Sequence, residues 1–310
     1  MDTLSAFESY VSAVQAGSLS GAARQRKISQ PAVSQQILAL EAFYDTRLLY
    51  RSRSGVRMTE SGELVYKRAI IILDEQENLR SELETLSGKV AGKLTVTATL
   101  GLSQHVMGDV IIQLTKQYPE LKVLLRADDR ILNLDSENID IAIRFGALGN
   151  GSGIARKIAT LDMLYVAAPK YLDSVGRPTK PEQLISLDFI QYKANDDEIV
   201  TTLSRGSQSI QVPIKIGLTA QLPDLIFQAL QSNLGYARAP RFLVDKAIAK
   251  GQLEVVLPKW EISATELFLV YLARETLSPR VLAFLNVLFT RLEKTQGINL
   301  VPSAKQVFMP

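Results

Sequence analysis

The chain has 310 residues, too many for one ordinary core, so two or three domains are expected. Its hydrophobic fraction of 46% suits a water-soluble fold, and no apolar run reaches the roughly 18 residues that span a bilayer. The acidic, amphipathic N-terminus is unlike a signal peptide, so a cytoplasmic protein without membrane contact is expected. With no cysteine and one histidine (His105), thiolate chemistry, a multi-histidine metal centre and a histidine acid–base pair are excluded. No metal or cofactor is expected. The net charge of +3 is unevenly placed: residues 1–68 hold 9 Lys/Arg and 6 Asp/Glu, whereas residues 69–310 balance at 26 of each. Positive charge confined to one end is what attraction to a phosphate backbone requires.

Leu4, Phe7, Val11 and Val14 recur at helical spacing, and Gly17 stops that helix. Ser18 can cap a second helix through Ala22 and Ala23, whose small side chains admit a close neighbour. Ser29 is a good cap for a third helix, and Pro31 fits its first turn. Val33, Ile37, Leu40 and Phe43 are expected to face inward. Ser29, Gln30, Pro31, Ala32, Ser34 and Gln35 then open a helix shaped for a DNA groove, in which Gln and Ser hydrogen-bond base edges. Leu48 to Thr59 reads as two strands around a turn at Arg53-Ser54-Gly55, a wing that can place Arg51 and Arg53 on DNA. Thr59 caps a long helix with the stripe Val65, Ala69, Ile72, Gln76, Leu79, Leu83 and Leu86. That stripe serves either a helix pair between two chains, with Gln76 setting register, or packing on the chain's own body. Gly88 and Gly92 end it.

This pattern resembles the LysR-type transcriptional regulators over residues 1 to about 66. It rests on Phe7, Gly17-Ser18, Ala22-Ala23, Ser29 to Ser34, Ile37, Leu40-Glu41, Leu48, Arg51, Thr59 and Gly62. Arg26-Lys27 departs from the family's usual Leu-Gly and is expected to add charge near the DNA backbone; Leu49 stands where Phe is usual. The resemblance implies a regulator binding double-stranded operator DNA at the nucleoid. It further implies self-assembly to a dimer and then a homotetramer, with RNA polymerase as a further partner.

From Lys93 on, strands at 93–98, 123–126, 139–145, 165–168, 189–191, 210–216 and 268–272 alternate with helices at 104–117, 222–231, 240–249 and 279–292. This is an α/β body with largely parallel pairing expected. Gly92 to Val96, Tyr118-Pro119, Ile139 to Gly146, Pro169 to Leu172 and Gly235 to Pro240 resemble the LysR effector-binding domain, a type 2 periplasmic-binding-protein-like fold. The expected organisation is a winged helix-turn-helix at 1–59, a linker helix at 60–88, and an effector domain at 93–296. Within that domain, 93–166 with 267–296 would form one subdomain and 167–266 the other. A loosely ordered tail would follow at 297–310.

The resemblance places a small-molecule effector, anionic in one reading, between the subdomains. Candidate contacts are Thr99, Leu100, Ser103, Phe145, Thr219, Gln221 and Arg238. Ser103 reads equally as a helix cap. Arg238 needs either an anionic ligand or an internal partner such as Asp129. His105 beside the cleft could sense protonation. A transport solute-binding protein and an enzyme on the same α/β body are the alternatives. No phosphate loop or nucleophile elbow supports the enzyme, so no catalytic residue is assigned.

Overall fold

The computed structural model describes residues 2–52, 55–86, 90–146, 153–192, 200–272, 277–302, 304 and 308; in the helix 60–86 side chains are described through Gln76 and at Leu79 and Leu83. The chain divides into two compact units, Met1–Gly92 and Lys93–Pro310.

The first unit opens with three helices, α1 (Thr3–Gln15), α2 (Leu19–Arg26) and α3 (Gln30–Phe43). Each starts on a short polar side chain that accepts an otherwise orphaned backbone N–H. Asp2 accepts from Ser5 at 3.2 Å, Ser18 from Gly21 at 3.1 Å and Ser29 from Ala32 at 3.3 Å. Phe7, Tyr10, Val11, Ala22, Ala23, Val33, Ile37 and Leu40 close into one core. Phe43 does not join it. It is 65% exposed in the last turn of the helix, on the side turned away from Val33, Ile37 and Leu40, where its ring meets Tyr44.

The strands β1 (Leu49–Ser52) and β2 (Gly55–Met58) form an antiparallel hairpin with Ser52 opposite Gly55. A Cβ on Gly55 would stand 2.4 Å from the Gly17 carbonyl oxygen, so only glycine lets the wing approach that turn. The Val56 N–H donates to the same oxygen at 3.0 Å. The helix α4 (Glu60–Leu86) follows. The Thr59 hydroxyl accepts from the Gly62 N–H at 2.9 Å and donates to the Arg47 carbonyl at 2.7 Å.

The stripe along α4 is split, which corrects the reading of one continuous seam. Ala69 is fully buried in the three-helix core, and Val65, Tyr66, Ile70 and Leu73 pack against it. Leu64, Ile72, Gln76, Leu79 and Leu83 are exposed. The first turns of the helix must complete the small head before the rest is available to any partner. The side chain of Leu86 lies outside the described residues.

The second unit holds, in chain order, β3 (Gly92–Ala98), α5 (Leu100–Leu102), a π turn (Ser103–Met107), α6 (Gly108–Gln117), β4 (Leu121–Ala127), β5 (Ile141–Phe145), β6 (Ile154–Leu161), β7 (Met163–Ala167), α7 (Pro169–Val175), β8 (Asp188–Tyr192), β9 (Val200–Arg205), β10 (Gln208–Pro213), β11 (Lys215–Ala220), α8 (Pro223–Gln231), β12 (Tyr236–Pro240), α9 (Arg241–Ala249), β13 (Glu254–Val255), β14 (Glu261–Ile262), β15 (Thr265–Tyr271), α10 (Pro279–Glu293) and β16 (Ile298–Leu300). One sheet runs β16-β6-β15-β5-β3-β4 and a second runs β11-β8-β12-β7-β13; β10-β9-β14 is a small third sheet.

Pairing is mixed, not largely parallel. β3–β5, β8–β11 and β8–β12 are parallel, while β5–β15, β6–β15, β6–β16, β7–β12 and β7–β13 are antiparallel. The cause is the two crossovers between sheets, which deliver strands running against their neighbours. The first falls at Asp162, between β6 and β7, so residues 163–166 belong to the second sheet and not the first. The Asp162 backbone is held from both sides: its N–H donates to Gly297 and its carbonyl accepts from Arg241, each at 2.8 Å. The expected strand 210–216 is two strands, β10 and β11, in different sheets and broken after Pro213. The tail is also corrected: β16 pairs with β6, Ala304 and Phe308 are buried, and Phe308 packs on Phe289 and Tyr271 at 6.1 and 5.7 Å.

Candidate functional site

Two regions gather polar groups. In the first unit, Gln30, Pro31, Gln35 and Leu38 are exposed along α3, and Ala32 and Ser34 are half-buried beside them. Val33, Ile37 and Leu40 anchor the opposite face. The polar stripe is therefore presented at the N-terminal half of a rigidly seated helix, with Ser29 consumed as its cap.

The wing is tied to this helix. Arg51 Nη1 donates to Ser34 Oγ at 2.9 Å, and Arg51 Nη2 lies 3.6 Å from Glu41 Oε2. Glu41 Oε1 in turn accepts the N–H groups of Leu48 and Leu49 at 2.8 and 3.1 Å. Two residues expected to touch DNA separately, Ser34 and Arg51, are thus one hydrogen-bonded unit. Arg53 lies outside the described residues.

Arg26 corrects an expectation. The sequence pattern predicts added charge near the DNA backbone, and the structure places the guanidinium elsewhere. The Arg26 side chain is 14% exposed and points inward. Nη1 donates to the Ser5 carbonyl at 3.0 Å and to Gln36 Oε1 at 2.8 Å, and the guanidinium also binds Ser9 and Glu8. A planar five-donor fork can join three helices at once, which a point charge cannot.

In the second unit, the C-terminal ends of β3, β5, β8 and β11 carry the candidate ligand residues. Thr99 is buried, and its Oγ1 has no partner among the described residues. The Leu100 N–H donates at 3.1 Å to Asp129 Oδ1, just past β4. The other oxygen of that carboxylate accepts from the Tyr192 hydroxyl, at the end of β8 in the other sheet. Burial pushes the Tyr192 hydroxyl well above the ordinary tyrosine range, and its bond to Asp129 adds to the shift. Thr219 Oγ1 donates to the buried Gln191 at 3.2 Å. Gln221 is exposed just beyond β11. Ser103 Oγ donates back to the Ala98 carbonyl at 3.3 Å and serves the local backbone.

Phe145 and Phe242 approach at 6.5 Å across the two layers. A Cβ on Gly101 would meet Leu243 Cδ1 at 3.2 Å, so glycine admits α9 closely there. Arg144 is buried, and its Nη2 donates to the Arg130 carbonyl. Burial pulls its guanidinium below the ordinary value, opposed by the charges of Asp128 and Asp129. Arg238 reaches the second crossover, which enters the first sheet between β14 and β15: its Nη2 donates to the Ser263 carbonyl at 2.9 Å and to Thr265 Oγ1 at 3.3 Å. His105 Nδ1 sits 3.3 Å from the Gly101 carbonyl. A hollow of about 460 Å³ lies on the outer face of α6, against Asp109, Ile112 and Lys116, and is no part of this cleft.

Sequence reasoning gave no wing or cleft role to Glu41, Asp129, Arg144, Gln191 or Tyr192, naming Asp129 only as a partner for Arg238. The run Asp128-Asp129-Arg130 directly after a strand was a usable signal for the second; for Tyr192 there was none.

A helix-turn-helix with a pinned wing, joined to a two-sheet body with polar groups at converging strand ends, defines a DNA-binding protein with a ligand-sensing domain. Residues 4–63 match the family described as bacterial regulatory helix-turn-helix protein, lysR family, and residues 87–293 match the LysR substrate binding domain. The chain belongs to the LysR family of transcriptional regulators, effector-modulated proteins that bind DNA and assemble with themselves. It is 28% identical to an HTH-type transcriptional repressor of Pseudomonas aeruginosa, over 98% of this chain and 96% of the relative. It is 27% identical to the HTH-type transcriptional activator AaeR of Escherichia coli, over 93% of each. Among solved structures it resembles CrgA, a LysR-type regulator from Neisseria meningitidis, at TM-score 0.59 and 25% identity, covering 94% of this chain and 98% of that one.

Proposed function

We propose that this regulator reads its operator through Gln30, Pro31, Ala32, Ser34 and Gln35 in the major groove. Ser29 fixes the helix start, and Arg51 with Arg53 brings the wing to the backbone or minor groove. The carrying observation is the Arg51–Ser34 hydrogen bond, which couples the wing to the helix before DNA arrives. Arg51 then trades a neutral partner for phosphate without reordering the wing. In a mobility-shift titration against an operator selected from random DNA, Gln30→Ala or Ser34→Ala is expected to lose specific affinity about 10-fold or more, while non-specific binding holds. Specific binding within twofold of wild type would remove this helix from the reading role.

The second part of the proposal is assembly and sensing. The exposed residues Ile72, Gln76, Leu79 and Leu83 of α4, with Leu86, pair two chains, and two such dimers make the tetramer. The small-molecule effector, an anion, binds where Thr99, Leu100, Ser103, Phe145, Thr219 and Gln221 converge between the sheets. The protein works in the cytoplasm at the nucleoid and acts on RNA polymerase at its promoters. Support for the cleft is the buried Thr99 hydroxyl, which has no partner among the described residues and lies beside strand ends from both sheets. Arg238 instead serves the crossover, where the Ser263 carbonyl and Thr265 Oγ1 accept from it.

A further inference from the structure

Resting on that cleft reading, we infer that Asp129 is the protein's own stand-in for the ligand's carboxylate, and that the Asp129–Tyr192 bond is the strap a carboxylate ligand replaces.

The argument is one of converging donors. The Leu100 N–H and the Tyr192 hydroxyl both donate to Asp129, one to each oxygen. One donor belongs to the first sheet's helix and the other to the second sheet's strand end. A single carboxylate therefore joins the two sheets, in the geometry that two charge-assisted donors select. Beside it are a buried cation, Arg144, and a buried hydroxyl with no partner among the described residues, Thr99 Oγ1. Neither is used up by Asp129: Arg144 donates to the Arg130 carbonyl, and Asp128 is bound to Arg130. The site thus has more donor capacity than one aspartate consumes. A free carboxylate on a small organic ligand can accept the Leu100 and Tyr192 donors and reach the remaining ones. A neutral ligand has no reason to displace Asp129.

The displaced aspartate supplies the switch. With Asp129 in place, the two sheets are coupled through the chain itself. With a ligand in place, they are coupled through the ligand, and the loop 127–131 that carries Asp129 is released. Because wild type holds its own anion, a carboxylate ligand competes with an intramolecular group and binds only as well as the unstrapped fraction allows.

The absence of cysteine makes the test clean. Lys122→Cys on β4 and Lys250→Cys after α9 place one spin label on each layer of the full-length protein. The inter-label distance distribution is then measured by pulsed electron resonance. Asp129→Ala is expected to raise the population of the separated form about 10- to 100-fold, as loss of charge-assisted bonds should. Sodium acetate in the tens of millimolar is expected to restore the wild-type distribution in Asp129→Ala, whereas sodium chloride at equal ionic strength is not. Tyr192→Phe, which keeps the carboxylate and most of the packing, is expected to separate the layers without rescue by acetate. It also covers the case in which Asp129→Ala does not fold. Unchanged distances in both variants overturn the strap. Separation in Asp129→Ala that acetate fails to reverse overturns the stand-in, and so does acetate rescue of Tyr192→Phe. Acetate rescue with target transcription unmoved in Asp129→Ala leaves the strap standing and instead fails the cleft as the effector site.

Discussion

Removing the Arg26 guanidinium should cost the head much of its stability and none of its DNA charge. In Arg26→Ala the Ser5 carbonyl, Ser9 Oγ and Gln36 Oε1 lose the donors that join α1, α2 and α3. Glu8 loses its partner as well, but it is half-exposed and water replaces the loss. The two well-formed bonds, to Ser5 at 3.0 Å and Gln36 at 2.8 Å, are each to a charged donor in a shielded site. Bonds of that kind contribute about 1.5–3 kcal/mol each and are not additive, so about 3 kcal/mol is expected for the pair. That is roughly a 150-fold fall in protection of the buried amides of α1 and α2, read by native-state hydrogen exchange on the full-length protein. Arg26→Lys should recover little of it, since an ammonium cannot address Ser5, Ser9 and Gln36 together. Exchange within twofold of wild type, with the slope of log affinity against log salt reduced by about 1, would show that Arg26 is a phosphate contact and refute the reasoning.

Gly62→Ala would place a methyl 2.2 Å from the Leu48 carbonyl oxygen and 2.8 Å from the Tyr10 hydroxyl. A cost above about 2 kcal/mol is expected, seen as a lower midpoint of the head's denaturant transition; an unchanged midpoint would mean that α4 leaves the hairpin more room than the geometry gives. Side-chain and backbone hydrogen bonds from Arg130 hold the Asp128 carboxyl below its ordinary value of 3.8. Its stabilising effect is therefore present above that value and fades as the pH falls through the lowered one. With Arg130 80% exposed the effect is under about 1 kcal/mol, and carboxyl NMR titration should show Asp128 protonating after the exposed aspartates. Leu79→Lys with Leu83→Lys should lower the assembly state in analytical ultracentrifugation without unfolding the head, because both side chains are more than half exposed in the single chain. Ala69→Lys should instead unfold the head, being fully buried there.

The local grammar of the head was legible from its residues alone. Caps at Ser18 and Ser29, the stop at Gly17 and the inward set Val33, Ile37 and Leu40 depend on neighbours within four residues, and the structure keeps them all. The resemblance to a known family carried the two-sheet body further than periodicity could. What failed was whatever depended on who packs against whom. One apolar stripe on α4 looks the same whether it meets a second chain or its own head, and only the packing shows that Ala69 is used up while Leu79 is not. An arginine in a short helix reads as surface charge until Ser5, Ser9 and Gln36 are seen to surround it. Strand direction escaped because two crossovers set it, the first at Asp162, not any local pattern. The cleft lay furthest out of reach: Asp129 and Tyr192 are 63 residues apart, and no spacing rule links them. Sequence determines what each segment can cap, bury or hydrogen-bond nearby. The tertiary fold alone decides which distant groups share a carboxylate, because that choice is made by the relative placement of two sheets.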